Sequence, residues 1–194
     1  MHKHAIDKIA NQFISGYVYT KEIGKVLTLL IYYFNGLNRE YSLNKGIALT
    51  GKYGAGKTSI MSIIREYLKL IANPNPNLFT VCSMEDIVMA MGDRNFLDSK
   101  LLNNSYGNVR KPLNLCINEF GHKFRGKTYG TEHQELIEIF LMKRYEIFQD
   151  YNKLTHVTMN AGTDDLKDIF SPRVIDRLRE MFNIIELGGE SFRK

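Results

Sequence analysis

Three short stretches carry side chains suited to phosphoryl chemistry. The first reads Gly51-Lys52-Tyr53-Gly54-Ala55-Gly56-Lys57-Thr58 and fits G-x-x-x-x-G-K-[ST] at every fixed position. Glycines let the backbone curl until successive N–H groups point at phosphate oxygens. Lys57 is then expected to reach the β and γ phosphates and Thr58 to ligate Mg²⁺, with Ala55 inside the loop and Ser59 just beyond it. The second stretch, Leu113-Asn114-Leu115-Cys116-Ile117-Asn118-Glu119, is an apolar run ending in an amide and a carboxylate. Glu119 is placed to orient and polarise an attacking water, and Asn118 to face the metal. Asparagine keeps a carbonyl acceptor but lacks the charge that magnesium favours, so weak metal binding or slow turnover is expected. The third, residues 156–160, ends in Asn160, which could help place the water; a turn residue is the ordinary alternative.

Arg173 and Arg177 lie four apart and share a helical face, where their like charges invite an anion. An arginine directed at a neighbouring subunit's ATP would stabilise transition-state charge. Internal pairing is the other reading, because Asp176 and Glu180 each follow one of these arginines by three residues. Beyond Glu119 the chain reads His122-Lys123-Phe124-Arg125-Gly126-Lys127-Thr128-Tyr129-Gly130. Cations interleaved with rings suit a single nucleic-acid strand, with Lys123, Arg125 and Lys127 tracking phosphates and Phe124 and Tyr129 stacking bases; a solvated loop is the alternative.

These residues need a frame. GIALT (residues 46–50) is a short apolar strand leading into the glycine-rich loop, and Ile60, Ile63, Ile64, Tyr67, Leu68 and Ile71 then form one helical stripe. Further strands are expected at residues 78–83, 113–117, 156–159 and 183–187. Thr131 with Gln134 reads as a capping box opening a long helix, and Ser171-Pro172 as the cap and first residue of another. Strands alternating with helices predict an α/β fold, three-layered around a central parallel sheet. Residues 1–40 read as a short helical segment, with a greasy run over 26–34, and residues 41–194 as the core. Arg144 falls on an apolar stripe with Ile137, Phe140, Leu141 and Phe148, where it should snorkel or pair with a carboxylate.

Bulk properties agree. The chain has 194 residues, a net charge of +5 and a pI near 9.1, which favours anionic partners. Its two cysteines, Cys82 and Cys116, sit in apolar runs and read as buried thiols of a reducing compartment. With no secretory signal and no run long enough to span a bilayer, a cytoplasmic setting without membrane contact is expected.

From residue 46 to residue 193 the pattern resembles the AAA+ ATPases of the bacterial DnaC/DnaI helicase-loader family and their IstB-type transposition relatives. The likeness rests on RYEIF, THVTMNAGTDDL, SPRVIDRLREMFNIIEL and GGESFR following one another at family-like spacing. It implies a P-loop NTPase (AAA+) fold with little or no C-terminal lid, and ATP and Mg²⁺ held by Lys57 and Thr58. Asn118-Glu119 stands where the family has Asp-Asp or Asp-Glu. Asn160 matches the first sensor, Arg177 the arginine finger with Arg173 beside it, and Arg193 the second sensor. Such proteins self-associate through the finger, bind single-stranded DNA and, in loaders, grip the replicative helicase during DNA replication. Two alternatives stay open: a nucleotide-gated DNA-binding module with slow or absent hydrolysis, and a transposition helper with a transposase partner.

Overall fold

The computed structural model describes residues 20–72, 75–90, 112–128, 130–160, 162, 165–189 and 191. Its first element, α1 (Lys21–Phe34), starts at Thr20, whose hydroxyl accepts from the Ile23 N–H at 3.2 Å. Then come β1 (Gly46–Gly51), α2 (Lys57–Ile71), β2 (Phe79–Ser83) and α3 (Met84–Ala90). The chain continues with β3 (Asn114–Phe120), the two-residue strands β4 (Lys127–Thr128) and β5 (Thr131–Glu132), and α4 (His133–Tyr151). It closes with β6 (Thr155–Met159), a 3₁₀ turn (Asp165–Asp168), α5 (Pro172–Met181) and β7 (Phe182–Leu187).

Five strands form one parallel sheet in the order β2-β3-β6-β1-β7. Because side chains alternate along each strand, the sheet has two apolar faces. Ile47, Leu49, Cys116, Ile185 and Leu187 meet α1 and α2 on one face. Ala48, Leu115, Ile117, Val157 and Met159 meet α3, α4 and α5 on the other. The expected three-layer α/β fold is the one observed. The run at 26–34 belongs to the first of these cores: Val26, Leu27, Leu30, Ile31, Tyr33 and Phe34 are all buried against it.

Several local expectations need correction. Thr131 and Gln134 form no capping box: Thr131 pairs with Thr128 in the β4–β5 hairpin, Glu132 is the N-cap of α4, and the Gln134 amide donates to the Ile169 carbonyl at 3.0 Å. Hairpin pairing took the residues that the local motif claimed. Ser171 does hold the N-cap position of α5, but its hydroxyl and N–H both go to the Glu138 carboxylate, each at 2.7 Å. Ile71 ends α2 exposed, and Cys82 is only half-buried. A reciprocal cap that the sequence reading missed opens α3, where Ser83 N–H donates to Asp86 and Asp86 N–H to the Ser83 hydroxyl.

The edge of the sheet where β1 and β6 begin is closed by buried polar side chains. Arg144, 1% exposed, neither snorkels nor depends on a carboxylate for the bonds described. It donates to the Thr155 hydroxyl at 3.0 Å and to the carbonyls of Leu113 and Leu154 at 3.1 and 3.2 Å. Burial brings its pKa down to about 10. Asn114 caps the start of β3, giving its amide to Pro76 and Leu78 and taking the Leu154 N–H. His156 Nδ1 accepts from Ile47 N–H at 3.1 Å, and burial followed by the charge of Arg144 pulls its pKa down to about 3. Its neutral ring packs between Phe34 and Phe79.

Candidate functional site

In a parallel sheet every strand ends at the same edge, where ligands of such folds bind. At that edge Tyr53, Gly54, Gly56, Lys57, Thr58, Ser59, Glu119, Thr158 and Asn160 line a pocket of about 150 Å³. Three stretches far apart in sequence thus meet at one place: the glycine-rich loop after β1, the end of β3 and the end of β6.

Backbone geometry explains the loop. Gly51 leaves β1 so close to β7 that a Cβ there would lie 2.5 Å from the Leu187 carbonyl oxygen. Gly56 is the N-cap of α2 at φ +92°, in the left-handed region that suits glycine. The first turn of α2 carries no acidic side chain. Its N-terminal N–H groups and partial positive charge therefore face the pocket with no acidic side chain of that turn to offset them, an arrangement suited to phosphate. Ala55 is buried beneath the loop, while Ser59 and the exposed Thr58 stand on its helical side.

Lys57 is buried, and its ammonium donates to the carbonyls of Gly51 and Lys52 at 2.7 Å each and to Asn160 Oδ1 at 2.6 Å. Asn160 is thus in direct contact with the lysine of the loop, not merely a turn residue.

The end of β3 is irregular. Ile117 stands opposite Val157, but Phe120 stands opposite Met159, so β3 holds one residue more than its partner over this span. Glu119 absorbs the extra residue at φ +57°, a left-handed conformation uncommon for a side chain of its kind. As a result the carboxylate lines the pocket, whereas Phe120 is buried and stacks on Phe170. Asn118 is half-buried and is not among the lining residues; its Oδ1 accepts from the Thr158 hydroxyl at 3.0 Å. The same hydroxyl oxygen takes the Glu119 N–H at 3.4 Å. Sequence reasoning passed over Thr158, although it sits two residues before Asn160 and hence on the same side of β6.

Among the described residues no three His, Cys, Asp or Glu side chains gather to hold a metal. A magnesium ion fits this donor set only with a nucleotide, because Thr58 would supply one hydroxyl oxygen and phosphates and water the rest.

The remaining candidates lie elsewhere. Arg177 is paired internally, reaching Glu180 at 3.0 Å and Asp176 at 3.4 Å, with its guanidinium 4.8 Å from the centre of the Tyr145 ring. Tyr145 donates to Glu180 at 2.7 Å, and this bond together with Arg177 holds that carboxyl below its usual range. Neither Arg177 nor the exposed Arg173 lines the pocket. In the loop after β3, Lys123 and Arg125 are exposed, Lys127 pairs with Glu132 at 2.9 Å, and Phe124 packs against the core instead of standing free to stack. His122 Nε2 lies 3.5 Å from the hydroxyl of Tyr53. Tyr129 and Arg193 fall outside the described residues.

Sheet order, glycine-rich loop and pocket define the class as a P-loop NTPase fold of the AAA+ type. Solved structures of this fold align along most of the chain. The DnaC helicase loader superposes with a TM-score of 0.59 at 20% identity, covering 89% of this chain and 93% of that one. DnaI gives 0.56 at 18% identity, covering 96% and 93%. AMPPCP-bound DnaA from Aquifex aeolicus gives 0.59 at 14% identity, with 90% of this chain aligned to 51% of that one. No family model and no curated protein matches the chain. At these identities the similarity is one of fold, and at that level the resemblance to DnaC and DnaI is borne out.

Proposed function

We propose that this protein is an ATP-dependent AAA+ ATPase of DNA replication that associates with single-stranded DNA and helps load a replicative helicase. The observation that carries the reading is the single pocket uniting the phosphate loop, Lys57, Glu119 and Asn160. In this reading the N–H groups of Gly54 and residues 56–59, with the ammonium of Lys57 turned from its carbonyl acceptors, hold the β and γ phosphates. The Thr58 hydroxyl would ligate Mg²⁺, which would neutralise charge on the phosphates.

Glu119 accepts a proton from water as the water oxygen attacks the γ-phosphorus. The bond to the β–γ bridging oxygen breaks, leaving ADP and inorganic phosphate. Asn160 shares its acceptor with Lys57, so one contact links the loop to the strand that flanks the reacting phosphate. Arg177 acts on the ATP of a neighbouring copy, which requires it to leave Glu180 on assembly. Lys123, Arg125 and Lys127 supply cations for the DNA backbone. The helicase role is supported by the fold shared with the DnaC helicase loader and DnaI.

The test is ATP hydrolysis with and without single-stranded DNA, with Lys57→Ala as the blank. DNA-stimulated turnover that vanishes in the blank is expected. A wild-type protein that binds no ATP sinks the whole reading, while loss of helicase capture in both nucleotide states sinks only the loader role. A second reading, a nucleotide-gated DNA-binding switch with slow hydrolysis, is favoured by the amide at Asn118. Tight ATP binding without turnover would select it.

A further inference from the structure

We infer that Thr158 is a positioning residue of the ATP site, its hydroxyl setting both the orientation of Asn118 and the displaced backbone of Glu119. The inference rests on the proposed ATPase reading and deepens it.

Thr158 is 2% exposed and lies on β6, between the strand that ends in the glycine-rich loop and the strand that ends in Glu119. A hydroxyl has one proton to give and lone pairs to receive. Here the lone pair takes the Glu119 N–H, so the proton goes to Asn118 Oδ1. Both contacts fall within the span where β3 carries its extra residue. Glu119 holds φ +57° there, a conformation that persists only where its surroundings over-determine it. The Thr158 hydroxyl is one such constraint, and it reaches the bulge from the neighbouring strand.

The same bond settles what Asn118 offers. With Oδ1 bound to Thr158, its NH₂ is the group left to turn elsewhere, so position 118 presents a donor where a carboxylate would present an acceptor.

Thr158→Val keeps the shape and removes the hydroxyl, whereas Thr158→Ser keeps the hydroxyl. Steady-state hydrolysis is expected to show kcat down about tenfold in the valine variant with KM for ATP within about twofold, and the serine variant within about threefold of wild type. Exchange of the Glu119 amide proton, followed by NMR in the full chain, should quicken in the valine variant and stay slow in the serine variant. This readout does not need turnover, so it decides the inference even if the wild type proves not to hydrolyse ATP, a result that counts against the ATPase reading alone. Unchanged kcat, or unchanged Glu119 exchange, in a folded valine variant overturns the inference. So does a serine variant as impaired as the valine one.

Discussion

The two edges of the central sheet use polar side chains in opposite ways. Where the strands begin, Arg144, Asn114, Thr155 and His156 are buried, and their described bonds run to backbone groups or to one another. Where the strands end, Lys57 and Thr158 are also buried, yet Glu119, Thr58 and Asn160 beside them remain open to a pocket. The difference lies in what the backbone demands. At the first edge, carbonyls and N–H groups left unpaired in the interior would each cost about 1–3 kcal/mol, so the side chains are consumed in satisfying them. At the second, a glycine-rich loop and a helix N-terminus supply donors in surplus. Burial of a charge thus marks a satisfied interior at one edge and the wall of a pocket at the other.

Arg144→Ala tests the structural edge most severely. It removes three described hydrogen bonds and leaves a cavity, and is expected to destabilise the fold by about 3–5 kcal/mol in urea unfolding. ATP turnover per folded molecule should stay unchanged; direct loss of turnover in a folded variant would break the division between the edges. Lys57→Ala should act on the chemistry instead, lowering turnover per folded molecule by roughly two to three orders of magnitude.

A pH titration sharpens the structural side. His156 has a pKa near 3 in the fold, against an ordinary value of 6.5, so below 6.5 the unfolded chain binds a proton that the folded chain refuses. Its stabilising contribution is complete above pH 6.5 and is lost as pH falls towards 3, with a slope of up to about 1.4 kcal/mol per pH unit. His156→Asn keeps an acceptor for Ile47 N–H without a titrating ring, and should flatten that part of the stability profile. An unchanged profile would remove His156 from the account. The smallest effect is expected from Asn118→Asp, a rise in turnover of about threefold to tenfold, because Thr158 can donate equally well to a carboxylate. No rise would show that position 118 does not limit the chemistry.

What was legible in the sequence follows the range of each interaction. The loop around Lys57 was readable because its chemistry is local: glycines, a lysine and a helix start within eight positions. Glu119 was readable as the polar end of an apolar strand, but not its left-handed backbone, since a bulge depends on register with β6. Arg177 offered one internal partner openly, Glu180 at a spacing of three, with Asp176 adjacent to it. Thr158 gave no signal of its own, because a β-branched residue inside a strand is ordinary. Arg144 stood out on its stripe, while its partners at Leu113 and Thr155 required the tertiary fold. The Thr131–Gln134 motif misled because a two-residue strand outcompeted it.

The sheet order has a consequence for how the molecule comes into being. Among the described residues strand β1, which leads into the glycine-rich loop, pairs only with β6 and β7, the last two strands of the sheet in chain order. During synthesis from the ribosome its backbone therefore waits, edges unsatisfied, until residues 155–187 have emerged. Closing so long an interval is slow, because loop entropy must be met before the contacts repay it. The pocket, lined by residues from Tyr53 to Asn160, cannot be complete on a nascent chain that stops short of β6, so it closes only once the far end of the sheet has been made.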